Sequence, residues 1–376
     1  MKVAKKNPAR SANRSEMTQE KTLEKYSSDS YISQSNNKSQ DNYSEIQEFL
    51  KKFTPKKSKS IKLSKSLYRI GESARAERVA NCGSFLAFAH EIDSFGEIAA
   101  KGKLHNANFC RERLCPMCIW RRTLKIYGQI SKIMAHMPKN TSYLFLTLTV
   151  PNCSPEDFQD TLDKLFYGWK KLSHFKDFKK AVIGFYRVLE VTRNKKNGTY
   201  HPHFHVILAV DSEYFHKNYI PHDKWLDMWR KAYGDESITQ VDIRKIKARD
   251  KSLDSKVDLS DLDGFKTLEG AVSETAKYAV KDSDFIIMND KYNDLMDSIV
   301  KDLLFGLKGR RLVQFGGIFK EVAQKLKLDD AENGDLVHID EDKVNGAVAF
   351  MVVKYGWRSG VYTIISKDIK KVGDSE

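Results

Sequence analysis

The stretch His201-Pro202-His203-Phe204-His205-Val206-Ile207-Leu208-Ala209-Val210 decides how the chain is read. Side chains alternate between the faces of a strand, so His203 and His205 share one face while Phe204, Val206 and Leu208 take the other. Upstream, Tyr186-Arg187-Val188-Leu189-Glu190-Val191-Thr192 reads as a second strand, and Asn197-Gly198 between the two is a strong hairpin signal. With Asn197 and Gly198 as the loop, Lys196 pairs with Thr199, which sets Thr192 opposite His203 and Glu190 opposite His205. A carboxylate and two imidazoles then meet within the roughly 5 Å that separates opposed residues. A His-x-His pair alone is commonly a surface feature. Glu190 changes that reading, because a carboxylate among Val188, Leu189 and Val191 needs a buried partner. His201 falls opposite Asn194 near the turn and reads as an exposed bystander.

The remaining composition bounds the partners. The 376 residues allow two or three domains, and 64 Lys+Arg against 50 Asp+Glu give a formal charge of +14. Such a balance favours polyanions, nucleic acid first. No apolar run reaches the roughly 18 residues of a membrane span, and the N-terminus lacks a signal-peptide core, so a soluble cytoplasmic protein without a membrane partner is expected. The cysteines are Cys82, Cys110, Cys115, Cys118 and Cys153. Cys110-x4-Cys115-Pro-Met-Cys118 has the tight spacing of a zinc knuckle, with Cys82 as fourth thiolate and His105 as the alternative. Arg121 and Arg122 follow at the start of a helix running towards Met137 and are candidate phosphate contacts.

Residues 1–65 read as a disordered basic tail, with a short helix near Ser44 to Phe53 and a run of Lys56, Lys57, Lys59, Lys62 and Lys65 that is either solvated or in contact with phosphate. Residues 68–138 form a zinc-binding, DNA-contacting segment, 139–290 the central domain, and 291–376 a C-terminal α/β extension. Within the centre, 143–150 is a strand whose Phe145, Thr147 and Thr149 share one face, 155–173 and 222–233 are helices, and 238–243 is a strand. That order predicts an α+β fold, an antiparallel sheet flanked by helices. Residues 249–262 read as charged loop. Leu268 to Lys281 reads as a helix with Leu268, Val272, Ala276, Ala279 and Val280 on its apolar stripe and Glu274, Tyr278 and Lys281 opposite. A nucleophile, a base and, with Lys277, two cations would share that helix.

Phe145-Leu146-Thr147-Leu148-Thr149 with Pro151-Asn152, then His203-Phe204-His205, then Glu274-Thr275-Ala276-Lys277-Tyr278-Ala279-Val280-Lys281 resemble, in that order, the motifs of the HUH endonucleases. The resemblance is closest to the rolling-circle replication initiators of small Gram-positive plasmids, the Rep_1 type, and covers roughly residues 68–365. It implies an RRM-like antiparallel sheet with both histidines on a central strand. It also implies a divalent ion held by His203 and His205, to which the register argument adds the carboxylate of Glu190; mixed imidazole and carboxylate donors suit Mn²⁺, with Mg²⁺ as a hard substitute. Tyr278 would be the nucleophile on plasmid origin DNA, giving a 5′-phosphotyrosine and a free 3′-OH, and Glu274 would assist hydrolysis at termination. Lys277 and Lys281 would contact phosphate, and a host helicase and DNA polymerase would be partners. Two other readings are a relaxase or single-strand transposase with the same metal pair, and a non-catalytic zinc-containing DNA-binding regulator.

Overall fold

The structure, a computed structural model, describes residues 37–92, 102–246, 268–276, 279–339 and 349–371. The chain divides into two units, Met1–Glu48 and Phe49–Glu376. Of the first, the described residues 37–48 are helical backbone; all that follows concerns the second. In chain order the elements are α1 (Asn37–Arg69), α2 (Ser73–Asn81), β1 (Phe85–Glu91), β2 (Lys103–Ala107), α3 (Pro116–Ala135), β3 (Ser142–Thr149), α4 (Phe158–Leu172), α5 (Lys176–Ala181), β4 (Val182–Arg193) and β5 (Tyr200–Val210). They continue with α6 (His222–Tyr233), β6 (Asp242–Ile246), α7 (Leu268–Ala276), α8 (Asp282–Phe285), α9 (Asn293–Gly306), β7 (Val313–Gly317), α10 (Ile318–Lys325), β8 (Ala349–Arg358) and β9 (Val361–Lys371).

Two antiparallel sheets organise these elements, as the α+β expectation required. The larger runs β6-β3-β5-β4-β7, so the histidine strand β5 lies in its middle. Leu144, Leu146, Leu148, Phe204, Val206 and Leu208 are buried and belong to the face packed against α4. There Phe166 and Trp169 lie edge-on to Phe204 at 5.2 and 6.2 Å. Arg187 is sandwiched on this side, its guanidinium 4.2 Å from the Phe204 ring centre and 4.8 Å from that of Phe166. The opposite face carries the histidines and is held to α7 by the Tyr186 hydroxyl, which donates to the Thr275 carbonyl at 2.6 Å.

The second sheet runs β2-β1-β8-β9 and unites the early part of the chain with its last strands. This corrects the expected division. The C-terminal residues are not a separate extension, because β8 pairs with β1 and β7 pairs with β4. The strand expected at 238–243 is β6, displaced towards the C-terminus.

The N-terminal expectation is also corrected. Residues 1–36 lie outside the described residues, but 37–65 are helical. Helix α1 buries Phe53, Leu63 and Leu67 together with Lys57, Ser60 and Ser66. Phe53 packs edge-on against Phe88 of β1 and Trp120 of α3, at 5.7 and 4.8 Å. Three of its lysines are engaged by acidic and amide groups: Lys56 and Lys59 bind Asp282 at 3.1 and 3.0 Å, and Lys62 binds Asp290 and Asn293. Ser66 and Arg69 both reach Asp297. The expected loop at 249–262 lies outside the described residues.

Candidate metal centres

The hairpin keeps the predicted face and changes the predicted register. Its strands end at Arg193 and Tyr200, so Glu190 stands opposite His203, Thr192 opposite His201 and Val188 opposite His205. The loop is longer than two residues. Asn194 accepts from the Gly198 N–H at 2.8 Å, its own side chain accepts from Lys196 N–H, and Gly198 takes a φ of 77°, which favours glycine. The register therefore slips by two residues, one full side-chain period, and Glu190 stays on the histidine face.

Three donors converge there. Glu190 Oε2 lies 2.9 Å from His205 Nε2 and 3.4 Å from His203 Nε2, and the two Nε2 atoms are 3.2 Å apart. All three side chains are buried. His203 Nδ1 lies 3.1 Å from the His201 carbonyl. A carbonyl only accepts, so Nδ1 carries the proton, and in the neutral ring Nε2 presents a lone pair to the centre. His205 Nδ1 pairs with Thr147 Oγ1 at 3.2 Å, across the β3–β5 ladder, and Phe145 packs on its ring at 5.5 Å. Lone pairs of two imidazoles and a carboxylate facing one point repel unless a cation or proton lies between them, and partners on each Nδ1 are the outer support of a metal-binding histidine. Burial alone would raise the Glu190 carboxyl, but whenever a proton sits on Nε2 of His203 or His205 the neighbouring imidazolium outweighs burial and holds the group well below the usual carboxylate range. Glu190 Oε1 pairs with Lys281 at 3.0 Å, so the lysine read as a phosphate contact meets the carboxylate. His201, expected exposed, is half-buried and orients His203 through its carbonyl.

The expected helix from Leu268 to Lys281 ends at Ala276. Glu274 is within it, whereas Ala279 and Val280 are non-helical, so the helix does not run on to Lys281. Lys277 and Tyr278 lie outside the described residues. The chain after them is tied to β4, because Val191 N–H donates to the Ala279 carbonyl at 2.8 Å. That bond competes with helix continuation and was invisible in a run of good helix formers.

The second centre is sulfur. Ligand atoms of Cys82, Cys110, Cys115 and Cys118 all lie within 4.8 Å of one another, whereas His105 sits in β2 against Phe350. Cys118 Sγ is 3.5 Å from Cys82 Sγ and 3.7 Å from Cys110 Sγ, near the roughly 3.8 Å edge of a tetrahedron with ~2.3 Å zinc–sulfur bonds. Backbone N–H groups of Cys110 and Arg111 point at Cys82 and Cys118 sulfurs, at 3.3 and 3.2 Å. Ser60 Oγ is 3.4 Å from Cys115 Sγ, and Lys57 donates to the Cys82 carbonyl at 2.8 Å. The donor set fits zinc. Arg121 and Arg122 do not reach outwards: they are 4% and 1% exposed and hold the carbonyls of Leu336, Val337, Glu332, Glu112 and Arg111. Their expected role at phosphate gives way to one in tying the 329–338 segment to α3.

A family model described as Replication protein, Rep_1, matches residues 101–363, well over half of the chain. The chain belongs to the Rep_1 family of replication proteins. A Rep_1 relative from Bacillus amyloliquefaciens, Protein rep, is 40% identical over 298 residues, covering 78% of this chain and 85% of its own. Protein rep of Streptococcus pneumoniae is 36% identical over 291 residues, 75% of this chain and 82% of its own. A Replication protein of Staphylococcus aureus is 33% identical over 244 residues, 63% of this chain and 97% of its own. No solved structure matches this Rep_1 chain. Cys82 and all of α1 precede the Rep_1 match. Among the described residues no helix is long and apolar enough to cross a membrane.

Proposed function

We propose that this Rep_1 protein initiates rolling-circle replication of its plasmid by nicking one strand of the origin, with Tyr278 as nucleophile. The observation that carries the reading is the buried convergence of His203 Nε2, His205 Nε2 and the Glu190 carboxylate beside the segment that leads out of Tyr278. These three would hold Mn²⁺ or Mg²⁺, a choice that suits mixed imidazole and carboxylate donors. Such an ion, when bound, polarises the scissile phosphate and neutralises charge that develops on it.

The protein's own part is to position and exchange bonds. The Tyr278 oxygen attacks phosphorus in line while the bond from phosphorus to the 3′ oxygen breaks; the phenol loses its proton and the 3′ oxygen gains one. The products are a 5′-phosphotyrosyl ester and a free 3′-OH for a host polymerase to extend behind a host helicase. At termination Glu274 takes a proton from the water that attacks the phosphodiester of the regenerated origin, while the bond from phosphorus to the 3′ oxygen breaks and that oxygen gains a proton. Lys277 neutralises phosphate charge, and the four cysteines hold a structural zinc ion.

The test is a labelled single-stranded origin oligonucleotide incubated with the protein and Mn²⁺ and run on a denaturing gel. A covalent adduct lost in Tyr278→Phe, in His205→Ala and with chelator is the expected result. Binding without an adduct on either origin strand would overturn the nicking reading in favour of a DNA-binding regulator.

A further inference from the structure

The segment after Tyr278 is gripped from two sides. On the inner side β4 takes the Ala279 carbonyl through Val191 N–H, and Glu190 pairs with Lys281. On the outer side the next residue, Asp282, accepts from both Lys56 and Lys59 of α1, one on each carboxylate oxygen. Asp282 begins α8, so this double bridge fixes the point at which the chain turns away from the site. The next turn of α1 repeats the grip, with Lys62 on Asp290 and Asn293 and then Ser66 and Arg69 on Asp297.

The same helix is anchored on the sulfur centre. Between Lys56 and Lys59 lies Lys57, fully buried, which donates to the carbonyls of Ala80 and Cys82. One residue beyond Lys59, Ser60 meets Cys115 Sγ and accepts from the Met117 N–H. Successive side chains of a single turn thus hold the cysteine centre on one face of α1 and the post-tyrosine segment on the adjacent one.

We infer that α1 is a positioning strap: Lys56 and Lys59, seated by Lys57 and Ser60 on the cysteine centre, hold Asp282 and so fix residues 279–282, which follow Tyr278 in the chain, beside the Glu190/His203/His205 site. In this arrangement Asp282, Lys56 and Lys59 act through Lys281 and the backbone of 279–282. The inference rests on the nicking reading for its kinetic consequence, but the strap itself is a structural claim.

The experiment compares the full-length protein with Asp282→Asn, Asp282→Glu and Lys56→Ala/Lys59→Ala. Single-turnover adduct formation with Mn²⁺ and the origin oligonucleotide is measured beside fluorescence-anisotropy binding of the same oligonucleotide and amide exchange of residues 275–286. The expected result is about tenfold slower adduct formation and faster exchange in Asp282→Asn and in the double lysine variant. Oligonucleotide affinity should stay within twofold, and Asp282→Glu should recover most of the rate. Unchanged exchange in both weakened variants overturns the strap, whatever the cleavage rates; so does a rate loss that Asp282→Glu shares in full. If the unaltered protein forms no adduct while the lysine variant loosens 275–286, the nicking reading falls and the strap stands.

Discussion

Thr147 shows how much a single hydroxyl can govern. Its Oγ1 meets His205 Nδ1 at 3.2 Å and so sets which way the ring presents Nε2. Thr147→Val keeps the shape and strand preference but removes that partner, and loss of an outer support typically weakens metal affinity by about 10–100-fold. Mn²⁺ titration followed by electron paramagnetic resonance should show a loss of that size; unchanged affinity would mean that packing against Phe145 alone orients the ring. At this scale the sequence was legible where side-chain parity decides. Glu190, His203 and His205 were found together because a two-residue error in register leaves every side chain on its own face. It was illegible where one residue type serves two ends: Arg121 and Arg122 look the same in sequence whether they grip phosphate or, as here, carbonyls, and nothing marks Lys57 as buried.

At the scale of elements, α1 escaped sequence reading because its buried face is written in lysine and serine as much as in leucine. Its docking has a pH signature. Burial raises the Asp282 and Asp297 carboxyls, but Lys59 and Lys56 on the first, and Arg69 and Ser66 on the second, outweigh it and leave both below the usual value. An acid with a depressed folded-state pKa adds stability above its unfolded value of about 3.9 and loses it as pH falls through the folded value. Amide exchange of residues 50–69, corrected for intrinsic rates, should therefore quicken as pH falls below about 3.9; protection equal to that at pH 5 would show that the bridges do not hold the helix. A second element-scale prediction concerns Gly317, where β7 turns into α10 with φ 54°. A Cβ there would lie 2.3 Å from the Ile183 carbonyl oxygen. Gly317→Ala combines a disfavoured backbone with a backbone clash, and a loss of about 3 kcal/mol is expected in urea unfolding. A midpoint shift too small to register would mean that β7 can move off β4.

The whole molecule depends on pairings that no local pattern announces. Strands β3, β4 and β5 follow from alternation and hairpin logic, and the helices α4 and α6 from apolar spacing. The pairing of β1 with β8 joins Phe88 to Val353, and only the completed fold reveals it. Leu86 and Phe88 are buried beneath this closure, and Tyr355 packs on Phe88 at 5.9 Å. A chain ending at residue 345 should bind a hydrophobic dye and fail to retain the zinc proposed for its cysteines, because the sheet beside Cys82 and Cys110 loses its neighbour. Full zinc content with no dye binding would show that the sulfur centre is self-sufficient.

That late pairing also orders events on the ribosome. The histidine hairpin and the tyrosine segment emerge well before residue 358, yet the sheet that flanks the cysteines and supports α1 cannot close until the last strands are released. Proteases meet an interrupted nascent chain with its apolar strand uncovered and its strap unseated. The sheet beside the cysteines therefore waits on β8 and β9, and a chain interrupted before them leaves exposed the very surface that these strands would have hidden.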